Sequence, residues 1–217
     1  MLTLADAKEE LVDIMHASLR SGLVHGTAGN AACRLDDGNV AVTPTSVPYD
    51  TMTTDDIVVV DADAKVVAGH RAPTSEAALH LAIFAEHPEF HATMHCHAKY
   101  ASMFAVTGTP IPGAIEEFNI YVGGDVRVAD YKLTGSDELA VEVARHLDDR
   151  SAVLMANHGL AVAATTPRAA FDLATLVETT AEIMWGATRL GAIVPLPRET
   201  NDQLAPIYDL VRRRDTR

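Results

Sequence analysis

Only two of the 217 residues are cysteine, Cys33 and Cys96, and aromatic side chains make up just 5 % of the chain. Two lone thiols imply no disulfide framework, so stability has to come from core packing. No apolar run reaches the roughly 18–20 residues that a membrane-spanning helix needs. The first ten residues lack a basic stretch, an apolar block and a small-residue cleavage site, so no signal peptide is expected and a cytoplasmic location is. Positive charge is scarce: 17 Lys and Arg against 30 Asp and Glu leave a net charge of −13. Such a chain repels a phosphate backbone, and neither nucleic acid nor membrane is an expected partner. Its one basic cluster, Arg212-Arg213-Arg214, reads as a solvated helix end with cations at the negative pole of the dipole. The only glycine-rich turn, His25-Gly26-Thr27-Ala28-Gly29-Asn30, follows a helix rather than a strand and lacks dinucleotide spacing, which argues against a Rossmann fold.

What is present is ample apolar material, 48 % of residues, enough for one domain over residues 1–217. Leu4, Ala7, Leu11, Ile14, Met15 and Leu19 recur at helical spacing and predict a helix over 3–23, with Thr3 as N-cap and Gly22 as stop. Strand-like segments follow at Ala31–Leu35, Val40–Thr43, Ile57–Asp61 and Lys65–Ala68, separated by turn signals. A helix is predicted over 75–86, a strand over Ala92–His97 and a helix over 98–107. Residues 111–134 read as strand and loop with a turn at Gly123-Gly124. A helix over Asp137–Leu147, strands over Ala152–Ala156 and Leu160–Ala164, and a long helix over 167–190 opening on Pro167 complete the body. The tail 195–217 is expected to carry one short helix. Hairpin-like strand runs flanked by helices predict an α/β sandwich with a mixed or mainly antiparallel sheet.

Chemistry gathers in three places. In a strand, His95 and His97 share one face, while Cys96 points the other way and reads as a core thiol. His158 occupies the turn Asn157-His158-Gly159 between two apolar strands, where a buried imidazole needs a partner. Three neutral imidazoles from separated segments are a ligand set suited to a catalytic zinc with one open position. The same residues also fit a polar strand face and an ordinary hairpin turn. The remaining histidines, His16, His25, His70, His80, His87, His91 and His146, show no partner spacing and read as surface or capping residues. Glu76 heads the helix at 75–86, where an acid favours the dipole. Pro73-Thr74-Ser75-Glu76 sets two hydroxyls over free N–H groups, an anion cradle, and Gly29-Asn30 and Thr43-Pro44-Thr45-Ser46 resemble further parts of one.

Read in order, Gly29-Asn30, Thr43-Pro44-Thr45-Ser46-Val47-Pro48-Tyr49, Pro73-Thr74-Ser75-Glu76, His95-Cys96-His97-Ala98 and Asn157-His158-Gly159-Leu160 resemble the class II aldolase/adducin family across nearly the whole chain. The resemblance implies a three-layer α/β/α sandwich with a central mixed, mainly antiparallel sheet. It implies one zinc ion per subunit, held by His95, His97 and His158, with Glu76 as acid/base and as fourth ligand in the resting enzyme. A substrate phosphate would be held by Gly29, Asn30, Thr45, Ser46, Thr74 and Ser75. These aldolases carry a tyrosine on a mobile C-terminal tail; here the tail starts at about residue 195, and Tyr208 is the candidate, though it equally suits helix packing. A cyclic homotetramer with active sites at subunit interfaces is also implied. The implied reaction is reversible cleavage of a ketose 1-phosphate to dihydroxyacetone phosphate and a short aldehyde, with no lysine Schiff base; Lys99 reads as a surface or interface residue. Epimerases, dehydratases and decarboxylases of the family share the metal triad, and adducin-like domains share the fold without catalysis. Glu76 stands where the 4-epimerases carry aspartate, which favours an aldolase. Three departures stand out: Ala32 replaces a usual serine, Ser46 a usual glycine, and Glu116-Glu117-Phe118-Asn119 offers no tyrosine for the aldehyde.

Overall fold

The computed structural model describes residues 2–213. Its centre is an eight-stranded sheet: β1 (Asn30–Arg34), β2 (Val40–Val42), β3 (Val58–Val60), β4 (Val66–Ala68), β5 (Ala92–Cys96), β6 (Val128–Ala129), β7 (Ala152–Met155) and β8 (Gly159–Ala164). The strand order is β4-β3-β2-β1-β5-β8-β7-β6. Only β6–β7 is a parallel pair; the other neighbours are antiparallel. The expected mixed, mainly antiparallel sheet is what forms.

Helices cover both faces. Side chains alternate along each strand, so the two faces collect separate cores. On one, Ala31, Met94, Cys96, Leu154 and Val162 pack with helices α1 (Leu4–Ser21), α3 (Lys99–Thr107) and α6 (Pro167–Leu190). On the other, Ala32, Val42, Val58, Val153, Ala161 and Ala163 pack with α2 (Ala77–Glu86) and α5 (Asp137–His146). The central strands are therefore apolar on both faces, which is why β7 and β8 read as continuous hydrophobic runs. Cys96 is fully buried on the α1/α6 side, as strand alternation predicts. No helix is long and apolar enough to cross a membrane among the described residues.

Local signals set the helix ends. Thr3 caps α1 by accepting from the Asp6 N–H, and Gly22 closes it in the left-handed region at φ 77°. Pro167 opens α6 behind a Thr166 cap.

Four expectations need correction. Residues 116–122, expected as strand and loop, form helix α4 (Glu116–Val122), which buries Phe118 and Val122 at i, i+4 spacing. The expected C-terminal helix is present but not short: α7 (Arg198–Arg212) spans 15 residues and continues through Pro206. Arg212 is not a solvated cation: its Nε donates to Glu89 Oε1 at 2.9 Å, its Nη2 to the Leu147 carbonyl at 2.8 Å, and its guanidinium lies 4.7 Å from the Phe90 ring centroid. Arg214 lies outside the described residues. Finally, His80 and His87, expected as surface or capping residues, are both buried; His87 does cap α2, its N–H donating to the Ile83 carbonyl, and its Nε2 donates to the Ala144 carbonyl at 2.8 Å.

Candidate metal centre and active site

β5 lies between β1 and β8, and in the register His95 faces Asn30 on one side and Ala161 on the other. Met94 and Cys96 enter the α1/α6 core. Thr93 and His95 therefore turn toward α2. The strand ends at Cys96, one residue short of the expected His97, and Lys99 opens α3 as an exposed side chain. The β7–β8 turn delivers His158. Asn157 sits there at φ 57°, a conformation asparagine tolerates better than most residues. Gly159 has no room for a side chain: a Cβ would lie 2.6 Å from the Cys96 carbonyl and 3.0 Å from His97 Cδ2. Gly29 is constrained the same way, with a Cβ 2.8 Å from the His95 carbonyl.

The three imidazoles meet. Ring centroids are 4.8 Å apart for His95–His97, 4.6 Å for His95–His158 and 5.3 Å for His97–His158. One nitrogen from each lies within 4.8 Å of the others. His95 Nδ1 donates to the Leu160 carbonyl at 2.9 Å, so its Nε2 carries a lone pair. That lone pair is 3.0 Å from His97 Nε2 and 3.3 Å from Glu76 Oε2. Glu76 Oε1 lies 3.5 Å from His158 Nε2. With the His95 and His97 rings both as Nε2 acceptors these contacts would be repulsive, and an ion seated among them would take up the lone pairs and the carboxylate charge together. The donor set, three imidazoles and one carboxylate, fits a divalent metal.

Electrostatics agree with that fit. Burial pushes the His95 imidazole down to about 3, against the opposing pull of Glu76. Burial and the neighbouring His158 also lower His97. Burial alone would raise the Glu76 carboxyl; the His95 ring, the Asn30 hydrogen bond and His158 outweigh it, and its pKa lies below the ordinary 4.5. Neutral imidazoles and an ionised carboxylate are the forms that ligate metals.

Glu76 occupies the N-cap position of α2 and is 6 % exposed. Both oxygens are held: Asn30 Nδ2 donates to Oε2 at 2.8 Å and Thr134 Oγ1 to Oε1 at 3.1 Å. Beside it, the three expected cradle segments come together. A bridge joins Pro44 to Pro73, Thr45 N–H donates to the Ala72 carbonyl at 3.1 Å, and Thr74 N–H to the Thr43 carbonyl at 3.0 Å. Thr45, Ser46 and Ser75 are exposed, with the Thr45 and Ser46 hydroxyls 3.4 Å apart, while the Thr74 hydroxyl is buried and accepts from the Glu76 N–H. Ser46 has φ 59°, which gives a physical reason for glycine being usual at that position.

Two residues at the site fall outside the sequence-based expectations. Thr134 reaches Glu76 from 58 residues away. His80 bonds Asn30 and Thr93, although its i+4 spacing from Glu76 was a visible signal. Tyr208 is not brought to the triad within this chain. Its hydroxyl lies 3.0 Å from Ser151 Oγ, at the start of β7, whereas His158 follows the end of β7.

Comparison with known proteins places this geometry. Residues 9–185 match the family model of the class II aldolase and adducin N-terminal domain. A 5-deoxy-D-ribulose 1-phosphate aldolase of Bacillus thuringiensis serovar kurstaki is 32 % identical over 209 residues, covering 96 % of this chain and 98 % of the relative. A 3-oxo-tetronate 4-phosphate decarboxylase of Haemophilus influenzae is 31 % identical over 182 residues, 82 % of this chain and 86 % of the relative. A solved L-fuculose 1-phosphate aldolase superposes with a TM-score of 0.89 at 34 % identity, covering 94 % of this chain and 96 % of that one. With the match running through every segment that builds the histidine–glutamate cluster, the chain belongs to the class II aldolase/adducin family and is an enzyme of its metal-dependent aldolase class.

Proposed function

We propose that this enzyme is a zinc aldolase that reversibly cleaves a ketose 1-phosphate, of the L-fuculose 1-phosphate type, to dihydroxyacetone phosphate and a short aldehyde such as lactaldehyde. The observation that carries the reading is the convergence of His95, His97, His158 and Glu76 beside a cradle of exposed hydroxyls. The relatives named as aldolases act on ketose 1-phosphates by their names.

In this reading His95, His97 and His158 hold the zinc, with Glu76 as the fourth ligand before substrate arrives. The ion supplies Lewis-acid polarisation of the substrate carbonyl. Gly29, Asn30, Thr45, Ser46, Thr74 and Ser75 bind the phosphate through hydroxyls and backbone N–H groups. Phosphate anchoring orients the C3–C4 bond over the ligand cluster. Glu76, ionised, would move the proton to and from C3, balancing the proton that the C4 hydroxyl gives up as the C3–C4 bond breaks. Neutral imidazoles leave it as the one anionic base among these groups.

The reading includes a single catalytic domain, a cytoplasmic location and a homotetramer with active sites at subunit interfaces. Tyr208, bonded at the far end of β7 in its own chain, assists at the aldehyde end only by serving a neighbouring subunit. A second reading, decarboxylation of a sugar-acid phosphate on the same scaffold, is favoured by the decarboxylase relative. The deciding experiment incubates zinc-loaded protein with a panel of ketose 1-phosphates and 3-oxo acid phosphates. Dihydroxyacetone phosphate release supports the aldolase; carbon dioxide release overturns it in favour of the decarboxylase. A protein isolated without metal and inert on the whole panel returns it to the adducin-like, non-catalytic members of the family.

A further inference from the structure

A line of four buried side chains leads from the sheet to Glu76. Thr93 Oγ1 lies 2.7 Å from His80 Nδ1, His80 Nε2 lies 2.7 Å from Asn30 Oδ1, and Asn30 Nδ2 lies 2.8 Å from Glu76 Oε2. His80 is fully buried, Thr93 is 1 % exposed and Asn30 is 4 % exposed. The local structures explain how the line forms. Glu76 is the N-cap of α2 and His80 lies four residues on, in its first turn, so both side chains stand at the same end of the helix. Thr93 and His95 are i, i+2 on β5 and share a face. Asn30 is the cross-strand partner of His95, which sets its amide between the two.

The direction of each bond follows from one end. An ionised carboxylate only accepts, so Asn30 presents its Nδ2–H to Glu76 and its Oδ1 to His80. His80 must therefore donate from Nε2. Its Nδ1 is then bare and accepts from the Thr93 hydroxyl. Burial supports a neutral ring, lowering its pKa to about 4. Turning the Asn30 amide over would set Oδ1 against the carboxylate and Nδ2–H against His80 Nε2–H. The carboxylate contact would be repulsive whichever tautomer His80 took, and the His80 Nε2–H bond to Oδ1 adds a second hold on the observed orientation.

We propose that His80 is a positioning residue that fixes the orientation of the Glu76 carboxylate through Asn30. It touches neither substrate nor metal. It acts by keeping the amide in the one orientation that holds Oε2, which leaves the carboxylate set in the plane it needs for proton transfer. The inference rests on the proposed role of Glu76 as acid/base.

Two variants and one spectroscopic measurement test it on the full-length, zinc-loaded protein. His80→Gln keeps a donor toward Asn30 and an acceptor toward Thr93. His80→Leu keeps bulk and loses both. His80→Leu is expected to lower kcat by about 30–100-fold with KM changed by no more than about twofold, the scale of a misplaced catalytic group. His80→Gln is expected to recover most of that loss, and both variants should retain stoichiometric metal. Nitrogen-15 NMR of the wild-type histidines should show His80 as the Nε2–H tautomer. An Nδ1–H tautomer overturns the proposal. So does wild-type kcat in His80→Leu, or an equal loss in both variants, which would mark His80 as packing alone. If His80→Leu fails to fold, the tautomer and the His80→Gln kinetics still decide. If wild-type protein turns over none of the panel above, the proposed function falls, while the tautomer still shows whether the line of bonds exists.

Discussion

Two buried polar clusters lie at opposite ends of the sheet, and they are built on opposite principles. At the β7 start, Arg212 supplies a cation, and around it stand Glu89, the Tyr208 hydroxyl and the Leu147 and Arg150 carbonyls. Every charge there is matched by a partner from the chain itself. At the other end, His95, His97, His158 and Glu76 bring three imidazoles and a carboxylate together, with no lysine or arginine pairing Glu76 among the described residues. His158 Nδ1 is buried without a hydrogen-bond partner among the described residues. The first cluster is closed and ties α7 to the body. The second is completed by something the chain does not encode. A buried polar group is costly unless paired, so three imidazoles gathered round a carboxylate that no cation of the described residues pairs point to a ligand rather than to stability.

That contrast can be broken at several points. The largest effect is expected from Glu76→Gln, which should keep bound metal and lower kcat by about 10²–10⁴-fold, the usual range for a lost acid/base. Single-turnover kinetics with metal analysis checks it, and full turnover would remove Glu76 from the chemistry. His97→Ala should abolish stoichiometric zinc while leaving the far end of the sheet intact. Mass spectrometry under native conditions reads that directly, and retained zinc would contradict the ligand assignment. Arg212→Met should act in the opposite sense, on stability: it leaves the partly buried Glu89 and the Leu147 and Arg150 carbonyls without their donor, a loss of about 1–3 kcal/mol, readable by denaturant unfolding, with metal content per folded molecule unaltered.

The smallest effect distinguishes the two ends by pH. In metal-free protein, burial holds His95 near 3 and His80 near 4, against an ordinary 6.5. Between those values the unfolded chain binds more protons than the folded one, so stability should fall as pH drops from about 6.5 toward 4. Glu89 has its pKa set below 4.5 by its own backbone N–H and by Arg212, which outweigh burial. Its stabilisation is present above 4.5 and is lost only as pH falls through the lower folded value. Melting curves of chelator-treated protein from pH 7.5 to 5 should therefore show a decline that Arg212→Met leaves in place. Saturating zinc should raise stability most at pH 7.5 and leave the decline in place or steepen it, because protons compete with the ion for the same imidazoles.

Much of this was legible in the residues before any coordinates. Period-two alternation put His95 on one face of β5 and Cys96 on the other, because a strand offers no third choice, and His97 follows one residue past the strand end. Thr3, Gly22 and Pro167 marked helix ends, because capping is local chemistry. Helix α4 was not legible: seven residues carry too few turns for a periodic signal, and packing against α7 and α6 supports it. His80 was misread because a histidine that closes a buried line of bonds has the same local text as one on a surface. Arg212 was misread for the same reason. Its three-arginine run says nothing about the pocket of carbonyls that receives it.

The order of segments, the face each side chain takes and the chemical types available at the metal centre are properties of the sequence alone, because they depend on backbone period and local capping. Which polar groups meet is not. Thr134 with Glu76, His80 with Asn30 and Arg212 with Glu89 join residues 50 to 123 positions apart. Such pairings are chosen by how helices settle on a sheet, and only the packed structure decides whether a buried charge finds its counterpart within the chain or waits for one from outside.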